Sequence, residues 1–300
     1  MLIQSLAHYF AVDVDQHLDR EGPHATDASI PAEHLRHEEG VRELLSKQPP
    51  EMVHEEQESV SGVMAAKVYG SFPVGVVFAA SVFDLALPTD LSTVGVRFGA
   101  GHGLRFVLPR SELDAAPLLA TRGSESTVDE TQTGREAQAG GASAFGEHMA
   151  ALFEEHVQPV FEAIHEITGA DLRSMWSLLA TNIKTMFLRG QMEPYRTHLE
   201  LSQSRLEQLE RDEAYIFAHG NAGPFSRRER NPLVQPTRRF TPPPELGEAM
   251  YLRTKCCLRY RIRVNGEHVP YCASCPKITD RERLEVLRRL QSDTTHDSSE

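Results

Sequence analysis

Cysteine is almost absent from this 300-residue chain. All four copies fall within twenty positions, as Cys256-Cys257 and then Cys272-Ala273-Ser274-Cys275. A disulfide framework spread through the fold is thereby excluded. Tryptophan occurs once, at Trp176. No stretch reaches the ~18 to 20 uncharged apolar residues of a membrane span. The nearest, 68–83, is bounded by Lys67 and Asp84 and interrupted by Gly70, Pro73 and Gly75. It is expected to form buried core helices broken at proline. The first residues (MLIQSLAH) carry neither a basic n-region nor a small-residue cleavage site, so a cytoplasmic, reducing setting with free thiols is expected.

What the chain does have is a concentration of thiols. Four convergent thiolates complete a coordination shell for zinc or for an iron–sulfur cluster. A zinc ribbon would carry two Cys-x-x-Cys knuckles, and only Cys272 and Cys275 have that spacing. The adjacent pair sets a geometric condition: neighbours on a strand point to opposite faces, so Cys256 and Cys257 can serve one centre only if the backbone turns there.

Positive charge gathers around the same residues. From 221 to 263 ten Lys or Arg face three Glu, about +7, within a chain whose net charge is −12. A four-thiolate binuclear cluster is an anion that becomes more negative on reduction, so guanidinium groups nearby stabilise it and raise its potential. The same charge would steer an anionic ligand. For the run Arg227 to Arg230, pairing with the acidic body of the protein is an equal explanation.

The segment CCLRYRI at 256–262, followed by Cys272-x-x-Cys275, resembles the C-terminal signature of the FhuF-like ferric-siderophore reductases. Asn231-Pro232-Leu233 is similar to that family's Asn-Pro-Leu, and 157–177 to a stretch with Pro-Val, Thr-Gly and Trp-Ser at comparable spacing. The likeness covers roughly 59–277 and is strongest at the cysteines. It implies that Cys256, Cys257, Cys272 and Cys275 hold a [2Fe–2S] cluster. It implies a reductase that takes one electron from an external donor and passes it to a ferric siderophore, releasing Fe(II) in the cytoplasm. It also implies peripheral contact with a siderophore importer at the inner membrane. Arg253, Arg259, Tyr260 and Arg261 are the candidate substrate contacts, with support of the cluster as their other reading. Fourteen residues separate Cys257 from Cys272, more than is usual in the family; the insertion holds Val264-Asn265-Gly266-Glu267, a hairpin signal that can return Cys272 to the same place. Spacing assigns Cys272 and Cys275 to one iron and the adjacent pair to the other.

Other classes stand beside this one: a cluster-containing sensor, a siderophore-binding module without turnover, and a zinc-stabilised binding protein. A nucleic-acid partner is not expected, given the −12 charge and the lack of a recognised nucleic-acid module. No nucleotide fingerprint or nucleophile–base pair stands out. His34, His37, Glu38 and Glu39 are metal-like in type, but consecutive residues cannot share a helical face, which points to a solvated surface. The glycine-rich 99–103 joins two strand-like runs, 94–98 and 104–108, instead of opening a helix, and is read as a hairpin loop.

The expected fold is α+β and helix-rich: antiparallel helical hairpins, a small antiparallel sheet, and a C-terminal cysteine hairpin holding the cluster. Composition divides the chain into a helical region with a β-hairpin (1–120), a flexible linker or insertion (121–145), a helical region (146–220), a basic cysteine-containing segment (221–280) and a C-terminal helix and tail (281–300). Helices are expected at 1–18 and 31–46. Met149, Phe153, Val157, Val160, Ile164 and Ile167 form one apolar stripe, with a kink expected at Pro159 and a stop at Gly169. Asp171 should cap a second helix ending at Gly190, and Pro194 should start a third reaching about Arg211. Trp176 lies on an apolar stripe, which favours an anchoring role over ligand stacking.

Overall fold

The computed structural model describes residues 10, 12–15, 29–47, 58–98, 104–115, 143–192, 195–264 and 266–297. The loop 99–103, most of the 121–145 linker, Pro194 and Asn265 lie outside the described residues.

Two apolar helices, α2 (Glu58–Tyr69) and α3 (Ser71–Phe83), follow α1 (Glu38–Ser46). Nearly every residue of the pair is buried, so the longest apolar stretch of the chain is core. The break between them falls at Gly70, and Pro73 sits in the first turn of α3, where its missing N–H costs no intrahelical bond. A four-stranded sheet lies against them, in the order β1 (Val12–Asp15), β4 (Leu104–Pro109), β3 (Gly95–Phe98), β2 (Ile30–Pro31). Strands β2, β3 and β4 are antiparallel, as expected, and β1 adds a parallel edge beside β4. Phe106 of β4 stacks on Phe72 at 4.8 Å and meets the edge of Tyr69 at 5.3 Å, which fixes sheet to helices.

Two expected helices are corrected. Within 1–18, Val12–Asp15 is a strand, because it pairs along its length with β4. The 31–46 helix is divided: Pro31 pairs with Gly95, Ala32–Arg36 form a 3-10 turn, and His37 is extended (φ −114°, ψ 154°) before α1 begins. The chain doubles back tightly there, since a side chain at Gly40 would lie 2.1 Å from the His34 carbonyl oxygen.

In the second half, α4 (Ala144–Ala150) is capped by the Ser143 hydroxyl, which accepts from Gly146 N–H; the expected linker therefore ends before 145. The apolar stripe continues through a π-helical stretch, Ala151–Val157, into α5 (Gln158–Thr168). This is how the helix absorbs Pro159: Gln158 N–H reaches back five residues to Phe153 O, and widening the turn relieves the clash a proline brings. Gly169 (φ 68°) ends α5, and Asp171 caps α6 (Leu172–Gly190) by accepting from Arg173 and Ser174 N–H. The third helix starts later than expected. Tyr195–His198 make a single turn, Glu200 is left-handed (φ 53°), and α7 (Gln203–Ile216) begins after Ser202.

Helix α6 is the central element. It packs on α2, α3, α5 and α7 and also receives strand β6 (Met250–Leu252), which pairs with β5 (Arg238–Phe240). Trp176 is 4 % exposed, wedged between Phe161 (5.1 Å) and Phe225 (5.5 Å), and so is an anchor. One core cluster runs from Val12 to Cys257 and Ile262, and both halves of the chain contribute to it. The last helix, α8 (Asp280–Asp297), covers a smaller cluster of Phe240, Leu246, Leu252 and Leu287.

Candidate metal centre

The cysteine loops hang from α6 and β6. Ser177, fully buried on α6, accepts the Lys255 N–H at 3.2 Å and so fixes the residue before the cysteine pair. Arg253 N–H donates to Ser274 O at 3.1 Å, joining that segment to the Cys-x-x-Cys loop. The backbone does turn at the adjacent pair: Leu258 is left-handed (φ 61°), the cost of which is borne where two neighbouring thiols must face one point. Beyond it, β7 (Arg263–Val264) and β8 (Glu267–His268) form a hairpin with Gly266 at φ 84°. The long insertion thus extends as paired strands and returns the chain to Cys272.

All four cysteines come together as free thiols. Cys256 and Cys275 Sγ are 3.8 Å apart, and Cys257 and Cys272 Sγ are 3.6 Å apart. Two thiolates sharing one tetrahedral metal ion at bonds of ~2.3 Å stand ~3.8 Å apart, so both pairs have the spacing of metal-sharing ligands. These two contacts join the loops, while Cys256 also bonds Cys257 and Cys272 also bonds Cys275 within them, so the four sulfurs form one closed ring of contacts. Among the described residues, no three or more His, Cys, Asp or Glu side chains are arranged to hold a single ion.

The surroundings favour a thiolate at Cys257. Backbone N–H groups point at the sulfurs, from Leu258 to Cys256 (3.4 Å) and from Lys277 to Cys275 (3.5 Å). Cys257 is held far below the ordinary thiol range, first by hydrogen bonds from the Cys256 and Cys272 thiols and then, against burial, by the charge of Arg253. Cys275 is pushed far above it, chiefly by its hydrogen bonds to Cys256 and Cys272. One thiol thus ionises with its neighbours as donors; ionising all four at this separation requires a cation among them. Cys257 and Cys275 are fully buried, while Cys256 and Cys272 reach partly to solvent. The donor type, pair spacing, N–H groups and positive surroundings are those of a thiolate-bound metal centre, an iron–sulfur cluster or a zinc ion alike.

The four candidate substrate residues separate. Arg253 is 5 % exposed and donates to Cys272 Sγ, so it faces the thiols and not solvent. Burial opposes its charge, but Cys272 and Cys257 outweigh that and hold the guanidinium protonated. Arg259 directs its backbone N–H to the Cys257 thiol. Tyr260 lies at the surface, stacked on Tyr271 with ring centroids 5.0 Å apart, and Arg261 is exposed beside it. Lys277 Nζ lies 5.1 Å from the centre of the Tyr260 ring.

Two residues outside the expected set belong to the site. Arg283 of α8, 1 % exposed, donates to Cys275 O (3.1 Å), Ile278 O (3.2 Å) and Ala273 O, clamping the Cys-x-x-Cys loop. Lys67 of α2 is pushed below its usual pKa by burial, with Cys257 and Cys272 opposing that shift and Arg259 and Arg253 adding to it. Lys67 carried a sequence signal, as the one charged residue between 59 and 83. Asn231 of the Asn-Pro-Leu motif is structural: its amide donates to Ile216 O (2.7 Å) and Ala218 O (2.8 Å) and accepts from Leu233 N–H (2.9 Å). A separate cavity of about 270 Å³ between α3 and α6, lined by Val74, Phe78, Met186 and Arg189 among others, includes none of the cysteine-loop residues. In comparisons with known proteins, no family model matches the chain, and no curated protein is significantly similar to it.

Proposed function

We propose that this chain is a one-electron ferric-siderophore reductase of the FhuF-like kind, with Cys256, Cys257, Cys272 and Cys275 holding a [2Fe–2S] cluster. The observation that carries the reading is the buried Arg253 guanidinium, whose counter-charge comes from thiols. A cluster bound there supplies single electrons drawn from an external donor. The protein's own residues set the conditions for that transfer. Arg253 and Lys67 place positive charge at the buried side of the thiols, favouring uptake of a negative charge. The Leu258 and Lys277 N–H groups act in the same direction. Cys257 and Cys275 are sealed in the core, while Cys256 and Cys272 lie toward solvent beside Tyr260, Tyr271 and Lys277, where a substrate can approach.

On gaining one electron, the substrate's Fe(III) becomes Fe(II), which the hard siderophore oxygens hold far more weakly. No covalent step is asked of the protein. The setting that suits this activity is the cytoplasm, with peripheral contact at the inner membrane where importers deliver the ferric chelate.

The test is turnover. Anaerobically purified protein, reduced and mixed with excess ferric siderophore, should yield Fe(II), captured by a ferrous chelator, over many cycles. Reaction that stops at one equivalent would instead mark a sensor.

A further inference from the structure

We propose that the surface made by Tyr260, Tyr271 and Lys277 docks a ferric chelate that is net anionic and bears flat aryl ligands, as a tris-catecholate does. The proposal rests on the reductase reading for the metal inside the chelate, though not for the binding itself.

Three observations lead to it. Tyr271 is 38 % exposed, and besides Leu290 it is the one large hydrophobic side chain so exposed among the described residues. It stacks on Tyr260 at 5.0 Å with an interplanar angle of 29°, so Tyr260 backs the pair and the outer face of Tyr271 is the one turned to solvent. Lys277 Nζ stands 5.1 Å from the Tyr260 ring centre, so a flat anion resting on the Tyr271 ring has an ammonium group in the same surface patch. Charge selects the ligand. Between 249 and 279 the chain carries six Lys or Arg against the single Glu267; Arg253 alone of the six is buried, and Arg261, Arg263 and Lys277 are exposed. A ferric tris-catecholate carries three negative charges, whereas a ferric tris-hydroxamate is neutral and gains nothing from this field. The patch also adjoins the thiols: Tyr271 precedes Cys272 in the chain, and the Lys277 N–H points at the Cys275 sulfur at 3.5 Å.

The experiment uses redox-inert gallium(III) chelates and calorimetry on the whole protein as purified. Gallium tris-catecholate should bind at least about tenfold tighter than gallium tris-hydroxamate, and added salt should erode that preference. Tyr271→Leu and Lys277→Gln should each weaken catecholate binding by about tenfold while leaving the melting temperature and visible spectrum unchanged. Equal or tighter binding of the hydroxamate, or full affinity in both variants, would overturn the proposal. So would a face that ignores both chelates but binds a small acidic electron-transfer protein through Lys277. Catecholate preference in a protein lacking iron and sulfide would remove the reductase reading and keep the docking site. An iron–sulfur protein without that preference would do the reverse.

Discussion

The guanidinium of Arg253, 5 % exposed, donates a hydrogen bond to the sulfur of Cys272, and among the described residues no carboxylate forms an ion pair with it. A buried cation without an acidic partner is costly unless something else carries the negative charge. Here the Cys272 and Cys257 sulfurs are the groups placed to supply it. The pair therefore ties the buried guanidinium to the sulfur site.

Arg253→Met keeps most of the volume and removes the charge. The metal-loaded protein should lose about 3 kcal/mol of stability, the magnitude of breaking one side of a buried charge pair. Its reduction potential should fall, because an anion that grows more negative on reduction loses a neighbouring cation. Denaturant titration and EPR-monitored potentiometry measure the two effects. An unchanged potential would show that the guanidinium serves packing alone.

Arg283→Met tests the clamp on the second loop. Three carbonyl oxygens, of Ala273, Cys275 and Ile278, lose their donor at once. Each buried orphan costs about 1 to 3 kcal/mol. Local loosening should make metal release to a chelator markedly faster than in the parent, with the fold retained by circular dichroism. Equal release rates would place α8 outside the support of the site.

If the proposed cluster follows the two inter-loop contacts, they give a ligand assignment that can be tested. With Cys256 next to Cys275 and Cys257 next to Cys272, serine at 256 or 275 should perturb one iron, and serine at 257 or 272 the other. Mössbauer spectra of the single variants distinguish this from pairing by sequence spacing, in which Cys256→Ser and Cys257→Ser would affect the same iron.

Acid should unfold the protein through His156, away from the cysteines. This imidazole is fully buried, bonded to Tyr69 Oη at 2.6 Å and to Thr89 O at 2.8 Å, and burial lowers its pKa from 6.5 to about 4. The unfolded chain binds the proton more readily, so the contribution is complete above pH ~6.5 and is lost as pH falls toward ~4, about 3 kcal/mol in all. Urea midpoints measured between these limits should fall with pH in the parent and flatten in His156→Gln. A parent curve as flat as that of the variant would contradict the assignment.

The parts of the fold that local chemistry dictates were legible in the sequence. The stripe from Met149 to Ile167, the stop at Gly169 and the Asp171 cap depend on residues within a turn of one another. So does the hairpin closing at Gly266. The misread parts depend on distant partners. Val12–Asp15 is a strand because β4 lies beside it, and Pro31 ends in an extended pair because Gly95 is opposite. At the site, the cysteines announced themselves by crowding. The contacts of Cys256 with Cys275 and of Cys257 with Cys272 did not, because they arise from two loops meeting in space. Arg283 looked like one more charge on a charged helix, and only its burial against the Cys-x-x-Cys loop reveals its role.

The most direct measurement is the metal and sulfide content of anaerobically purified protein, with its EPR spectrum after reduction. The account predicts about two iron and two acid-labile sulfide per chain, a binuclear-cluster signal on one-electron reduction, and loss of that signal in Cys272→Ser. A colourless protein with one zinc per chain and no sulfide, or a spectrum indifferent to Cys272, would contradict it.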